Sequence, residues 1–227
     1  IEQISGRFSN AMFATIGFNA YRTSQIAAVA VGGALALSGI NPDSKILDEI
    51  FKILKRKISV SLVKKPSDAA HSKLVFNLGN ALLTIVAFHN NRNRDIPELQ
   101  HIMANIMWEG VRVLRKSGIK EARIPDMPPW VLLWLTKVLP SQLVVPIFKK
   151  KMQGSTINSM AQDLENGVNQ TELEDLNGYF LKIAQKAKVE VPYNTALYQI
   201  FKEWVESKNQ PLTPAELLSR ISSFSNR

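Results

Sequence analysis

The chain of 227 residues contains no cysteine, which excludes disulfide bonds, thiolate nucleophiles, cysteine-ligated zinc and iron–sulfur clusters. Histidine is scarce as well, and His71, His89 and His101 do not stand at the spacing of metal ligands. No apolar stretch reaches the roughly 20 residues that cross a bilayer, because Lys137 and Pro140 interrupt the best one. We therefore expect neither a metal site nor a transmembrane segment.

A glycine-rich phosphate-binding run is also missing from the chain. A dinucleotide's pyrophosphate needs G-x-G-x-x-G, or a close variant, leading into a helix, because only glycine lets the backbone approach so closely. The nearest run, Val31-Gly-Gly-Ala34, has neither the spacing nor a capped helix after it. As written, the chain is not expected to bind a dinucleotide tightly. Its first ten residues also lack the pattern of a signal peptide, so a cytoplasmic location is expected.

Acidic residues are few relative to basic ones, with 19 Asp and Glu against 28 Lys and Arg and a net charge of +9. This balance makes anionic partners plausible without naming one. The basic runs at 55–57, 64–65 and 149–151 are not accompanied by any DNA-binding or RNA-binding motif. We interpret them as solvated faces and expect no nucleic-acid partner.

The hydropathy pattern changes character near Pro66. Before it, residues 13–40 are rich in Ala, Val, Ile and Gly, with β-branched clusters at 26–31, and predict short strands. Residues 41–57 predict an amphipathic helix, and residues 58–63 predict another strand. After Pro66 the period is helical, with predicted helices at 68–89, 97–117, from 155 or 158 to 164, 171–187, 195–206 and from the capping box at Thr213 onward. Five prolines limit residues 125–146 to short helices. The pattern predicts a mostly α fold with a strand-rich part at 1–66 and a helical domain at 67–227.

Three polar side chains interrupt the apolar helix predicted at 68–89. Lys73, Asn77 and Asn80 stand at i, i+4 and i+7, so on one continuous helix they share a face. An ammonium and two carboxamides on one face could grip a small polar ligand, and apolar surroundings would lower the lysine pKa towards values useful for proton donation. Alternatively, Lys73 reaches solvent and the two asparagines bond to neighbouring helix ends.

A second polar cluster follows around Ser159, Thr171 and Glu172. Thr171 stands where a helix N-cap would, and Glu172 falls in the first turn, where a carboxylate complements the helix dipole. Capping alone can account for these residues. The free N–H groups of a helix start, with Ser159 nearby, could also receive an anionic ligand oxygen.

Taken in order, these motifs resemble the ketopantoate reductase (2-dehydropantoate 2-reductase) family. The resemblance spans about residues 70–204. It rests on Lys73-x-x-x-Asn77-Leu-Gly-Asn80, the stretch from Glu109 to Gly118, Ser159-Met-x-Gln-Asp163, Thr171-Glu172 with Asn177-Gly178, and Val191-Pro-Tyr-Asn194.

The resemblance implies roles for six residues. Lys73 would be the general acid that protonates the ketone oxygen, while Asn77, Asn80, Asn91 and Ser159 would contact the substrate. Glu172 would orient the lysine and contact the ligand or cofactor. Asn91 matches by spacing alone.

The resemblance also implies a fold and a reaction. The helical domain would be like the C-terminal domain of 6-phosphogluconate dehydrogenase, and residues 1–66 would be the end of a Rossmann-type nucleotide domain. The reaction would be NADPH-dependent reduction of a small 2-oxo acid, as in pantothenate biosynthesis, by a homodimer. Because the glycine fingerprint is missing, a second hypothesis is a non-catalytic helical dimerisation or interaction module derived from the family.

The tryptophan-bearing segment from Trp130 to Phe148 differs from what the resemblance leads us to expect. Its apolar residues and the following lysines could rest on an anionic membrane surface, or form a buried or dimer-facing patch. The prolines within it break any long amphipathic helix and favour the second interpretation.

Overall fold

The structure is a computed structural model that describes residues 11–17, 20–22, 27–29, 34–40, 44–87, 95–153, 160–161, 164, 171–207 and 212–225. The chain divides into two compact units. One contains residues 1–73 and 118–129, and the other contains residues 74–117 and 130–227.

The first unit is built on a three-stranded sheet. Its strands are β1 (Ala11–Ile16), β4 (Ala34–Ile40) and β5 (Ser59–Leu62), while β2 (Ala20–Arg22) and β3 (Ala27–Val29) pair separately as an antiparallel ribbon. The central strand β4 runs antiparallel to β1 and parallel to β5. Helix α1 (Ser44–Leu54) connects β4 to β5, as a parallel pair requires a crossover between its strands.

The sequence pattern accounts for this sheet. Residues 34–37 of β4 are all buried, as expected of a central strand, whereas burial alternates along the edge strand β1. A small core joins the sheet to later parts of the unit through Ala36, Ala69, Ala122 and Ile124. The predicted strands and the predicted amphipathic helix within 41–57 are thus confirmed.

The second unit is helical. Helix α2 (Pro66–Asn77) begins in the first unit and ends in the second. It is followed by α3 (Gly79–Ala87), α4 (Ile96–Lys116), α5 (Trp130–Val138), α6 (Ser141–Gln153), a π-helix (Glu174–Gly178), α7 (Tyr179–Ala187), α8 (Pro192–Glu206) and α9 (Pro214–Ser225). None of the helices in these ranges is long and apolar enough to cross a membrane.

Helix α4 lies at the centre of this unit and contacts α3, α5, α6, α7, α8 and α9. The core around it includes the fully buried side chains of Leu78, Leu82, Ile102, Phe201 and Trp204. The rings of Phe201 and Trp204 pack at a centroid distance of 5.6 Å. The mostly helical architecture with strands at its amino-terminal end is the one predicted.

Three helices differ in detail from the sequence prediction. The single helix expected at 68–89 is two helices separated at Leu78, and the helix expected from Thr171 starts later and contains a π-helical turn. Pro146 lies inside α6 and does not end it. The predicted capping box at Thr213 is confirmed, since Thr213 N–H donates to Glu216 Oε2 at 2.8 Å and Glu216 N–H donates to Thr213 Oγ at 3.2 Å.

Candidate active site

Lys73 is carried by a helix whose start is tied down within the first unit. The backbone N–H of Ala122 donates to Ser72 Oγ at 2.9 Å, and Ser72 is buried. The N–H of Lys120 donates to Asp68 Oδ1 at a longer 3.4 Å. Lys73 follows directly and is half-buried. These bonds hold the helical turn that carries its side chain.

Lys73 and Asn77 stand one turn apart on α2, at the spacing that places two residues on one face of a helix. Asn80 belongs to α3, beyond the break at Leu78. Lys73, Asn77 and Asn80 therefore do not lie on one continuous helix, and that part of the prediction was wrong. Asn77 and Asn80 are both half-buried.

The break between α2 and α3 packs closely against α4. A Cβ added to Gly79 would lie 2.6 Å from the sulfur of Met103, and one added to Gly110 would lie 3.1 Å from Leu78 Cδ1. Glycine at both positions lets the two backbones approach. The close packing holds the segment that carries Asn77 and Asn80 against the central helix.

A buried asparagine connects this break to the π-helix. Asn177 Nδ2 donates to the carbonyl oxygen of Leu78 at 3.3 Å, and Asn177 is 1% exposed. Its Oδ1 is also buried and has no hydrogen-bond partner among the described residues. The π-helix is an uncommon geometry that occurs often at functional sites. Asn177 thus links the helix break beside Asn77 to the turn that follows Glu172.

Glu172 is exposed and precedes the π-helix, where its carbonyl accepts a hydrogen bond from Leu176 N–H at 2.9 Å. The expectation that Thr171 begins a regular α-helix is replaced by a turn leading into the π-helix. Two further residues predicted for the site, Ser159 and Asn91, lie outside the described residues. Their placement stays a prediction.

Glu174 is the first residue of the π-helix and carries an exposed carboxylate. Its Oε1 accepts a hydrogen bond from the Tyr198 hydroxyl at 2.5 Å, and this bond raises the pKa of Tyr198. A Cβ on Gly178 would lie 2.7 Å from Glu174 Oε2, so glycine there leaves room for the carboxylate.

A buried carboxylate fixes the start of α8. Glu109 accepts hydrogen bonds from Tyr193 N–H at 3.0 Å, from Asn194 N–H at 2.9 Å and from Asn194 Nδ2 at 2.8 Å. Burial raises the pKa of Glu109, and the bonds from Asn194 and Tyr193 oppose this rise. Glu109 lies on α4, far from α8 in sequence, and its carboxylate caps the first turn of α8. This contact gives the motifs around Glu109 and Asn194 a structural role.

A polar cavity of about 150 Å³ lies elsewhere in the second unit, between α4 and the turn joining α5 to α6. It is lined by side chains that include His101, Asn105, Lys137 and Ser141, and by none of the residues predicted for the site. Asn105 Nδ2 donates to the His101 carbonyl at 2.9 Å, and His101 Nε2 is 3.0 Å from the Tyr193 hydroxyl. The described residues contain no group of three acidic or histidine side chains able to hold a metal ion.

Comparison with known families gives one match. The model described as the C-terminal domain of ketopantoate reductase PanE/ApbA matches residues 67–205, which is more than half of the chain. No curated protein sequence shows significant similarity.

Comparison with solved structures gives the same fold. A 2-dehydropantoate 2-reductase from Methylococcus capsulatus has 17% identity and a TM-score of 0.64, with 92% of this chain and 63% of that chain covered. A dimeric ketopantoate reductase from Staphylococcus aureus has 17% identity and a TM-score of 0.56, with 87% and 62% covered. D-mandelate dehydrogenase in complex with NADH has 18% identity and a TM-score of 0.65, with 91% and 67% covered. The chain thus spans less than two-thirds of the two reductases.

Proposed function

Because the chain belongs to the ketopantoate reductase family, we propose that it provides the substrate side of an oxidoreductase that reduces a small 2-oxo acid to a 2-hydroxy acid with NADPH. One observation carries the proposal: the range 67–205 that matches the family contains every proposed site residue. These are Lys73, Asn77, Asn80, Asn91, Ser159 and Glu172.

Nicotinamide cofactors supply a hydride, but the residues of this chain do not fit the pyrophosphate of such a dinucleotide. In a nucleotide-binding domain the phosphates lie where a strand leads into a helix. Between β4 and α1 the sequence reads Ile40-Asn41-Pro42-Asp43, with no glycine, one residue lacking an N–H group and one carboxylate. We propose that the phosphates are bound by a nucleotide domain that these residues do not contain. The division into a strand-rich part at 1–66 and a helical domain at 67–227 remains part of this proposal.

The proposed role of Lys73 follows from the negative charge that develops on the substrate's carbonyl oxygen during reduction. Reduction of a 2-oxo acid places a hydride on the carbonyl carbon and leaves negative charge on the oxygen. An ammonium that donates its proton to that oxygen stabilises the transition state more than the ground state. The half-buried position of Lys73 limits competition from water and supports this assignment.

The other proposed site residues would bind the substrate and orient it towards the Lys73 ammonium. The amide groups of Asn77, Asn80 and Asn91 can donate to its polar oxygens, and the Ser159 hydroxyl can donate to its carboxylate. Glu172 would orient the Lys73 ammonium through opposite charge.

The test is substitution of Lys73 in the product of the complete gene. Lys73→Ala is expected to lower kcat/KM for ketopantoate or a related 2-oxo acid by about a hundredfold or more, which is the usual contribution of a general acid. Lys65→Ala removes an exposed lysine just before the same helix and serves as the matched control. Retention of turnover within about tenfold in Lys73→Ala would contradict the assignment.

Two further properties belong to the proposal. A homodimer is supported by the dimeric reductase from Staphylococcus aureus that shares the fold, and light scattering coupled to gel filtration would test it. A cytoplasmic location is proposed from the reaction class, and cell fractionation would test it.

The second candidate is a non-catalytic helical dimerisation or interaction module. The missing glycine fingerprint favours it, because reduction needs a bound hydride donor. The reading frame upstream of Ile1 distinguishes the two candidates. An in-frame strand followed by G-x-G-x-x-G favours the enzyme, and a start codon close to Ile1 favours the module.

A further inference from the structure

Helices α5 and α6 carry an unusual concentration of exposed apolar side chains. Of the thirteen large hydrophobic residues that are exposed among the described residues, seven lie between positions 131 and 147. They are Val131, Leu132, Trp134, Val138, Leu139, Leu143 and Ile147, and we refer to them as the α5–α6 surface. Leu143 is 60% exposed and Ile147 is 72% exposed. Apolar concentrations of this kind mark sites of interaction with proteins or membranes.

The core of the unit does not use these side chains. Both helices pack on α4, and they do so through other residues: Trp130, Leu133 and Val144 are buried. Gln100 on α4 donates from Nε2 to the carbonyl of Thr136 at 2.9 Å, which fixes the orientation of α5. Because other residues of α5 and α6 pack on α4, the side chains of the α5–α6 surface point away from the core.

The charge around this surface has one sign. Residues 130–153 contain four lysines and no aspartate or glutamate. Lys137, Lys149, Lys150 and Lys151 are all exposed. Two copies meeting through this surface would bring like charges together, whereas an anionic surface would complement them.

Lys137 and Leu139 also line the polar cavity of about 150 Å³ at the turn between the two helices. The cavity adds the side chains of His101 and Ser141 at the edge of the apolar residues. Apolar side chains bordered by lysines and polar donors match the order of layers in a bilayer, with acyl chains below anionic headgroups.

We propose that the α5–α6 surface binds the face of an anionic phospholipid membrane, and that both helices lie in the plane of the interface. The helices have 9 and 13 residues, so they are suited to lie on a bilayer and too short to span it. Trp134 would sit at headgroup level, where tryptophan is enriched. The inference goes beyond the proposed reductase function and does not depend on it.

The experiment measures co-sedimentation of the full-length protein with vesicles. Phosphatidylcholine vesicles with about one-third phosphatidylserine are compared with pure phosphatidylcholine, at low salt and at about 0.5 M salt. Binding is expected to the anionic vesicles at low salt and to fall steeply at high salt.

Two sets of variants separate the apolar and charged contributions. Leu143→Ser/Ile147→Ser and the triple change of Lys149, Lys150 and Lys151 to Ala should each weaken binding by about tenfold or more. The triple variant leaves the core untouched, so it tests the proposal even if the double variant folds poorly. The matched controls lie in α1 and the turn that follows it. Ile46→Ser/Ile53→Ser and the triple change of Lys52, Lys55 and Lys57 to Ala should each change binding less than about twofold.

Two results would overturn the proposal. One is absence of binding to the anionic vesicles by the parent protein. The other is a dimer, seen by light scattering, that Leu143→Ser/Ile147→Ser converts to monomers without changing vesicle binding, because the surface would then be an interface between two copies.

Discussion

Replacement of Glu109 by glutamine tests a buried carboxylate that accepts three hydrogen bonds. The carboxylate is 4% exposed and accepts hydrogen bonds from Tyr193 N–H, Asn194 N–H and Asn194 Nδ2. Glutamine has nearly the same shape, so it opens no cavity. It presents one oxygen and one NH₂ group in place of two oxygens.

The magnitude follows from counting donors. If the amide oxygen takes the Oε2 position, it keeps both bonds from Asn194, and the NH₂ group then faces the N–H of Tyr193, which loses its acceptor. An unsatisfied buried N–H costs about 1–3 kcal/mol, and the remaining bonds lose their charge assistance. Relief from burying a charge offsets part of this loss. We expect the free energy of unfolding to fall by about 2 kcal/mol at neutral pH.

The assay is urea unfolding followed by circular dichroism, with amide exchange at Tyr193 and Asn194 as the local readout. Glu203→Gln, at an exposed position on α8, is the control and should change stability by less than about 0.5 kcal/mol. Glu109 does not stabilise the start of α8 if Glu109→Gln is as stable as the parent and both amides keep their protection.

The stability difference between the parent protein and Glu109→Gln is expected to depend on pH. Burial raises the pKa of Glu109 above its ordinary value of 4.5. The folded state therefore binds more protons than the unfolded state between the ordinary and the raised value, so the free energy of unfolding falls as pH rises through that window. Because glutamine does not titrate, the stability advantage of the parent over Glu109→Gln should be larger below pH 4.5 than at neutral pH. An advantage that grows with rising pH would reverse the inferred direction.

Three smaller predictions follow from other contacts. Asn177→Ala should lower the free energy of unfolding by about 1–2 kcal/mol, because it removes the hydrogen bond to the Leu78 carbonyl; unchanged urea midpoints would contradict this. Glu174→Gln should lower the pKa of Tyr198 towards 10.0, measured by ultraviolet titration of the phenol, and an unchanged titration would remove the assigned bond. Thr213→Ala should cost about 1 kcal/mol by breaking the capping box of α9, and a thermal midpoint equal to the parent's would argue against it.

The regular elements were predictable where local signals agree. The capping box at Thr213, with proline next, marks the start of α9 within one residue, and the amphipathic spacing at 41–57 contains α1. The β-branched residues within 26–31 and 58–63 marked β3 and β5. These signals act over one or two turns of chain, so no tertiary contact is needed to read them.

Prediction failed where distant residues decide the backbone. The break at Leu78 coincides with a carbonyl that accepts from Asn177, ninety-nine residues away, and with close packing of Met103 and Gly79. The π-helix and the continuation of α6 through Pro146 likewise have no signal in periodicity. Tertiary packing can compensate for a missing or displaced helical hydrogen bond. The hydropathy pattern of the local sequence contains no information about such packing.

For the site, the sequence by itself determined which chemical groups these residues offer: one lysine and one asparagine a helical turn apart, with a serine and a glutamate further along the chain. It also determined that these 227 residues supply no thiol and no glycine fingerprint. Only the tertiary structure decided that Asn80 falls on a separate helix, that Glu109 caps α8, and that seven apolar side chains on α5, α6 and the turn between them are exposed. Residue type and spacing determine chemistry and local period, whereas burial and long-range hydrogen bonds exist only after the chain has packed.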